Sequence, residues 1–324
     1  MTQERQDALA PALLIAGPTC SGKSALAMAL AETCGGLVIN ADAMQVYREL
    51  RVLTARPTEA DEARVPHALY GVRRATCAGS VAWWRGAALA AMHGAHHAGA
   101  LPILCGGSGL YFHALTSGIA AIPPIGAAAR SEARRMLAEL GPQGLHAALA
   151  SVDPGSAARL RPSDAQRLAR GWEVWRETGR GIAAWQDEPA ALAPWRFAAI
   201  RLDPPRDVLR GAIARRFADM LDAGALDEVR ALLALDLDPA LPAMRAHGVP
   251  ELAAHLRGTI TLAEAAQRTT LATGQYTKRQ ATWFAHHALA APARVHVIHA
   301  RFACLAQLSE SCRADLFSFI RGVG

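Results

Sequence analysis

The segment Gly17-Pro18-Thr19-Cys20-Ser21-Gly22-Lys23-Ser24 constrains this chain more than any other, because it fits the pattern G-x-x-x-x-G-K-[ST]. In that pattern the backbone N–H groups of a loop wrap a phosphate while the lysine reaches round it. The flanks agree. The apolar run 12–16 reads as a short buried strand leading in, and the Ala- and Leu-rich run from Ser24 reads as a helix whose positive N-terminal end faces the anion. Gly17 and Gly22 let the main chain come close to the ligand. A chance glycine-rich turn has no reason to sit between a strand and a helix, so the chain is expected to bind a di- or triphosphate.

With 324 residues, 52% of them hydrophobic, the chain can bury a substantial core as one large domain with an insertion. Its 34 basic and 28 acidic residues give a charge of +6, which favours a polyanionic partner. Lys23 and Lys278 are the only lysines among cations that are otherwise arginines. One stands where the loop needs a slim point charge; the other heads a basic cluster near the C-terminus. Six scattered cysteines without a C-x-x-C pair point to reduced thiols and a cytoplasmic protein. Glu4, Arg5 and Asp7 precede any apolar run, which argues against a signal peptide. The longest uncharged stretch, 101–129, is broken by glycines and by Pro123-Pro124, so it cannot form a membrane helix. Nothing in the sequence demands more than a monomer.

Short apolar runs at 12–16, 37–40, 68–72, 101–105, 196–202 and 295–298 alternate with helical patterns and predict a parallel sheet covered by helices. Between Pro123-Pro124 and Trp195 the pattern is helical only. The expected class is therefore α/β, with a parallel-sheet core from 1–121 and 196–324, an inserted all-helical subdomain at 122–195, and a helical C-terminal region. Within the insertion, Ser163-Asp164-Ala165-Gln166 fits a helix-starting capping box, and the helix after it brings Gln166, Arg167 and Arg170 close together. Runs 208–221 and 262–285 read as long amphipathic helices.

A phosphate loop serves many chemistries, so its neighbours must decide. Asp42, just past the second strand, lies at the ligand edge of a parallel sheet, where it would serve as a general base, a Mg²⁺ ligand or a helix cap. The fourth strand runs into Gly106-Gly107-Ser108 and not into the metal-organising carboxylate of simple nucleotide hydrolases. That loop suits close packing of a bulky substrate. Arg215 or Arg216 could reach back to stabilise a leaving pyrophosphate, or form a solvated helix face. The run 275–284 mixes Lys278, Arg279 and Gln280 with Tyr276, Trp283 and Phe284, which suits single-stranded RNA or, for the aromatics, a buried helix face. Histidines 93, 96, 97, 286 and 287 lack nearby cysteines or paired carboxylates and read as helix-surface residues before metal ligands.

Together these segments resemble the tRNA dimethylallyltransferase family. The resemblance rests on the phosphate loop, Asp42 through Tyr47, Thr54 through Thr58, Pro66-His67, Gly106 through Tyr111, Pro162 through Arg167, Glu173, Thr178-Gly179, Arg216-Phe217, and Lys278 through Gln280 with Thr282-Trp283. They follow one another in order over nearly the whole chain. The resemblance implies a P-loop NTPase-like core and a helical insertion that grips the anticodon stem. It implies that N6 of the adenosine 3′ of the anticodon attacks C1 of dimethylallyl diphosphate and releases pyrophosphate. In that scheme the loop holds the diphosphate, Lys23 and Arg216 neutralise it, and Ser24 holds Mg²⁺. Asp42 takes the N6 proton, and Ser108 lies near the adenine or the diphosphate. An adenine in a stacked loop must be extruded to reach such a pocket. RNA contacts are implied for Asp42, Ala43, Met44, Gln45, Ser108, Arg130, Gln166, Arg167, Leu168, Ala169, Arg170, Arg245, His247, Gly248, Lys278, Arg279, Gln280 and Trp283. The chain departs from the family at Ser108, where Thr is usual, at Val249 and Pro250, and at Gly274 and Ala285, where arginines are common. A free-nucleotide prenyltransferase, an ATP-dependent small-molecule kinase and a non-catalytic RNA-binding protein are the rival readings.

Overall fold

Alternate residues of strand β1 (Ala10–Ala16) enter two different cores, and this sets the architecture. In the computed structural model, which describes residues 9–323, β1 lies between β4 (Leu101–Gly106) and β5 (Trp195–Leu202). The sheet is completed by β2 (Gly36–Asn40), β3 (His67–Ala68) and β6 (Val295–Ile298) in the order β3-β2-β4-β1-β5-β6, all parallel. The predicted strand at 68–72 is shorter than its apolar content suggested. Leu69 and Gly71 take positive φ values of 65° and 59°, which turn the chain, and only Arg73 returns to pair with Tyr47. Glu4, Arg5 and Asp7 lie outside the described residues.

Helices cover both faces, as a parallel sheet requires. On one face Leu14, Ile39 and Leu104 pack with Trp84 and Met92 of α3 (Val81–His97) and Phe112 of α4 (Gly109–Thr116). On the other, Leu13, Ile15 and Ile103 pack with Leu26 and Leu30 of α1 (Lys23–Cys34). The short α2 (Glu59–Arg64) lies in the β2–β3 connection.

Residues 117–192 form a separate compact unit of four helices. These are α5 (Ala127–Val152), bent at Gly141-Pro142, α6 (Pro154–Ala158), α7 (Ala165–Thr178) and α8 (Ile182–Gln186). Ala133, Leu145, Leu149, Leu168 and Trp172 make its core. α7 begins one residue later than its capping box predicted: Asp164, not Ser163, accepts the Arg167 N–H at 3.1 Å.

After β5 come α9 (Arg206–Asp222), α10 (Ala225–Leu233), α11 (Val249–Leu256), α12 (Leu262–His286) and α13 (Glu310–Arg321). Phe217 of α9 and Phe284 of α12 join the first core; Leu316 and Ile320 of α13 join the second. No helix among the described residues is long and apolar enough to cross a membrane. The strand order puts the loops leaving β1, β4 and β2 side by side at the carboxyl edge, where ligands of such sheets bind.

Candidate active site

The phosphate loop is held from behind by the C-terminal segment. Phe302 N–H donates to Ser21 O at 2.9 Å, and the Phe302 ring is buried against the sheet. Gly22 sits at φ 95°, and a Cβ there would lie 1.9 Å from Phe302 O, so only glycine permits both the turn and the approach. Lys23 Nζ folds back to donate to Pro18 O at 2.7 Å. Burial lowers the Lys23 pKa; the nearby Cys105 and Asp42 oppose that, and Arg216 reinforces it. Ser21 is fully buried, and its Oγ has no partner among the described residues. Ser24 lies in the first turn of α1, and burial pushes the nearby Cys105 thiol up to about 11, against the opposing influence of Lys23 and Ser24.

Asp42 is fixed by Asn40, a buried residue at the end of β2. Asn40 Oδ1 accepts the Asp42 N–H at 2.8 Å, and Asn40 Nδ2 donates to Asp42 O at 3.0 Å and Leu69 O at 3.1 Å. One Asp42 carboxylate oxygen accepts Met44 N–H at 2.9 Å; the other has no partner among the described residues. Ser108 joins this loop to the glycine loop after β4, since its Oγ accepts Ala43 N–H at 2.9 Å and its N–H donates to Ala41 O at 3.2 Å. Burial, helped by Asp42, pushes the Tyr276 phenol up to about 12, while the nearby Ser108, Arg279 and Gln280 oppose the shift. The His247 ring lies 5.1 Å from that of Tyr276, and burial lowers its pKa. Arg216 arches over the loop, with Nη1 on Cys20 Sγ at 3.8 Å and Nη2 donating to Thr54 O at 3.2 Å.

Two cavities meet at Cys20, Arg216 and Met220. The smaller, about 230 Å³, has Asp42, Ser108 and Tyr276 at its polar end and Leu53, Ile213 and Phe217 as apolar wall. The larger, about 890 Å³, opens over Gly22, Lys23 and Ser24. Such an arrangement can hold a nucleophile beside a carboxylate, an apolar tail against the wall and a diphosphate on the loop, with Arg216 at the junction.

The structure sorts the expected residues unevenly. Thr19, Cys20, Ala43, Met44, Arg245 and His247 line the smaller cavity, while Gly17 and Pro18 are buried at the loop's root. Arg215 is exposed and lines neither cavity. The Gln45 amide donates to Thr54 O and Ala55 O. Gly248 is buried at the start of α11, and Val249, 1% exposed, is a core residue. Lys278, Arg279 and Trp283 line an open depression on α12. Three expected RNA contacts need correction, the buried Gly248 being one of them. Gln280 is 4% exposed and its amide ties Thr19 to Gly107; Leu168 is 0% exposed inside the helical unit, so it packs and offers RNA no surface. In that unit Arg130, Gln166 and Arg167 are exposed, and Ala169 and Arg170 partly so. Sequence reasoning missed Asn40 and Arg301, and gave Tyr276 no place in the site. Asn40 and Arg301 lie outside any recognisable motif, and Tyr276 was masked by the amphipathic pattern of α12.

Comparisons with known proteins identify the family. The IPP transferase family matches residues 45–287. The chain is 61% identical to a tRNA dimethylallyltransferase of Granulibacter bethesdensis, over 96% of this chain and 98% of that one. It is 62% identical to another from Gluconacetobacter diazotrophicus, over 99% and 97%. Among solved structures, the tRNA isopentenylpyrophosphate transferase of Bacillus halodurans superimposes with a TM-score of 0.68 at 29% identity, covering 97% of this chain and 96% of that one. A eukaryotic dimethylallyltransferase acting on tRNA shares the fold, with a TM-score of 0.80 at 24% identity over 97% and 80%. Identity of this extent, over chains of matching length, means that the chain belongs to the IPP transferase family.

Proposed function

We propose that this protein transfers a dimethylallyl group from dimethylallyl diphosphate to N6 of the adenosine immediately 3′ of the anticodon in tRNA. The observation that carries the reading is the meeting of the two cavities at Arg216: an acceptor pocket with Asp42 and Ser108 on one side, a phosphate loop on the other. N6 attacks C1 of the prenyl group, the C1–O bond breaks, and its electron pair leaves with pyrophosphate. The N6 proton passes to the carboxylate oxygen of Asp42 that has no partner among the described residues. Lys23 and Arg216 stabilise the charge that develops on the leaving group. Leu53, Ile213 and Phe217 shield the allylic carbons from water.

Mg²⁺ is the metal this reading calls for. Among the described residues there is no cluster of three or more His, Cys, Asp or Glu side chains. That fits an ion bound through phosphate oxygens, water and one or two protein oxygens, with the Ser24 hydroxyl in the first turn of α1 as the donor. Bound there, Mg²⁺ would neutralise part of the diphosphate charge. The helical unit 117–192, with Arg130 and Arg167 exposed and Arg170 partly so, is assigned to the anticodon stem, and a cytoplasmic protein is the reading its six free thiols support.

The test mixes the protein with Mg²⁺, labelled dimethylallyl diphosphate and an unmodified tRNA whose anticodon is followed by adenosine, with AMP as a parallel acceptor and ATP as an alternative substrate. Label in that adenosine is the expected result. Label in AMP, or ATP consumption without transfer to tRNA, would leave the phosphate loop assigned and the acceptor misassigned.

A further inference from the structure

We infer that Arg301 is a third cation for the diphosphate, alongside Lys23 and Arg216; the inference rests on the prenyl-transfer reading and extends it beyond the segment matched by the family. Arg301 follows β6, outside residues 45–287. Its segment is pinned to the back of the phosphate loop by the Phe302 N–H, and from outside by Gln307, whose Nε2 donates to Arg301 O at 3.1 Å and whose Oε1 accepts Ala303 N–H at 2.8 Å. Arg301 Nε then donates to Cys20 O at 3.1 Å.

Cys20 is thereby clasped from two sides, its thiol by Arg216 and its carbonyl by Arg301, in a left-handed conformation (φ 67°) that a non-glycine residue rarely adopts. One guanidinium faces both cavities from this crest; the other faces only the larger one, beside Gly22, Lys23 and Ser24.

The remaining cations of that cavity are tied to its wall. Arg51 donates through Nε and Nη2 to Pro57 O at 3.3 Å and 2.9 Å and through Nη1 to Glu59, and Arg56 donates through Nη1 to Tyr47 O and Arg48 O. Arg301 has no ion pair among the described residues, and neither terminal nitrogen has a hydrogen-bond partner there, so both are available to anion oxygens. A guanidinium held by its Nε, with its two amino groups open, has the geometry for a forked contact to phosphate. A diphosphate on the loop would then meet Lys23 between two arginines, one on the acceptor side and one on the solvent side.

The test measures pyrophosphate binding by calorimetry in Mg²⁺ buffer for the full chain and for Arg301→Gln, Arg301→Lys and Lys23→Ala, with thermal unfolding of each. Arg301→Gln is expected to raise the pyrophosphate Kd and the KM for dimethylallyl diphosphate by about 10-fold or more, the scale of a charge-assisted hydrogen bond. Its tRNA Kd and Tm should stay near wild type, and Arg301→Lys should recover part of the loss. If Arg301→Gln binds pyrophosphate like wild type while Lys23→Ala does not, Arg301 only braces Cys20 and the inference fails. It fails equally if Arg301→Gln lowers Tm and tRNA affinity together with pyrophosphate affinity and Arg301→Lys restores none of them. Unchanged pyrophosphate binding in Lys23→Ala as well would instead overturn the phosphate-loop reading itself.

Discussion

Gln280 Oε1 accepts two hydrogen bonds from Thr19, at 2.8 Å from its backbone N–H and at 3.0 Å from its hydroxyl. Its Nε2 donates to Gly107 O at 2.9 Å, so one amide on α12 couples the phosphate loop to the glycine loop that carries Ser108. A Cβ at Gly107 would lie 2.2 Å from that Nε2, which is why the approach needs glycine.

Gln280→Ala leaves the half-buried Thr19 N–H and the buried Gly107 O without their partner, at about 1–3 kcal/mol for the buried group and less for the one that water can reach. The expected outcome is a lower Tm and a KM for dimethylallyl diphosphate raised about 10-fold or more, with tRNA affinity nearly unchanged. Steady-state kinetics with each substrate varied in turn decides it. Weakened tRNA binding with an unchanged diphosphate KM would return Gln280 to the RNA-contacting role implied by the family resemblance.

Asn40 holds the Asp42 main chain, so substituting the side chain leaves that anchor in place, removes the acceptor of Met44 N–H and should act chiefly on the chemical step. Asp42→Ala and Asp42→Asn are expected to lower single-turnover rates by about 10²–10⁴, the usual worth of a positioned general base. The tRNA Kd should move less than about 3-fold, because the contact strengthens in the transition state. A rate within that same factor of wild type would remove Asp42 as the proton acceptor.

The parts of this protein that a sequence discloses are those whose cause is local. The strand before Gly17, the turn at Gly22 and the helix after it follow from neighbouring residues, and so do the helices within 117–192. Failures lie where distant segments meet. The predicted strand at 68–72 was undone by backbone turns at Leu69 and Gly71 that its apolar pattern hides. Glu228 accepts the N–H groups of Arg51, Val52 and Leu53, and so shapes the loop that supplies the apolar wall, yet it lies some 175 residues away and carries no motif. Tyr276 and Gln280 sit on an amphipathic helix whose periodicity says that one face is buried, not that this face ends in an active site.

Lys23 gives a pH dependence whose sign follows from burial. In the free protein its ammonium loses its proton below the ordinary value of 10.5. A diphosphate anion beside it favours the charged form and raises the pKa again. Between the two values binding must take up a proton, so pyrophosphate affinity should fall as pH rises through that window. Calorimetry at alkaline pH in two buffers of different ionisation enthalpy measures the uptake, and Lys23→Met subtracts protons exchanged by pyrophosphate itself. Equal uptake in both proteins would show that Lys23 stays charged throughout.

Met220 borders both cavities, and with Leu53, Ile213 and Phe217 it limits how long a prenyl chain the smaller one accepts. Forcing extra methylenes into a filled apolar site costs about 1–3 kcal/mol. The protein is therefore expected to prefer dimethylallyl over geranyl diphosphate, and Met220→Ala to narrow the ratio of their kcat/KM values by about 10-fold or more. The same change should lower stability by about 2–5 kcal/mol, so the comparison belongs well below the variant's Tm. An unchanged ratio would place the chain-length limit elsewhere in the pocket.

The assignment of the helical unit to tRNA turns on Arg167 and Arg170 of α7. Arg167 is 76% exposed and lies 3.5 Å from Asp164; Arg170 lies 3.1 Å from Glu173. An exposed pair such as the first is worth about 0–1 kcal/mol, so Arg167 can exchange its carboxylate for a phosphate at little cost; Arg170 keeps 42% of its side chain exposed beside the more buried Glu173. Each phosphate contact contributes about 0.7–0.9 to the slope of log K against log salt. Arg167→Ala with Arg170→Ala should therefore flatten the slope for tRNA by about 1.4–1.8 and weaken binding most at low salt, while pyrophosphate binding stays as it was. Filter binding across a salt series reads both quantities. A double variant with a wild-type slope would take this face of α7 out of the RNA interface, because a phosphate contact cannot be lost without the counterions it had released.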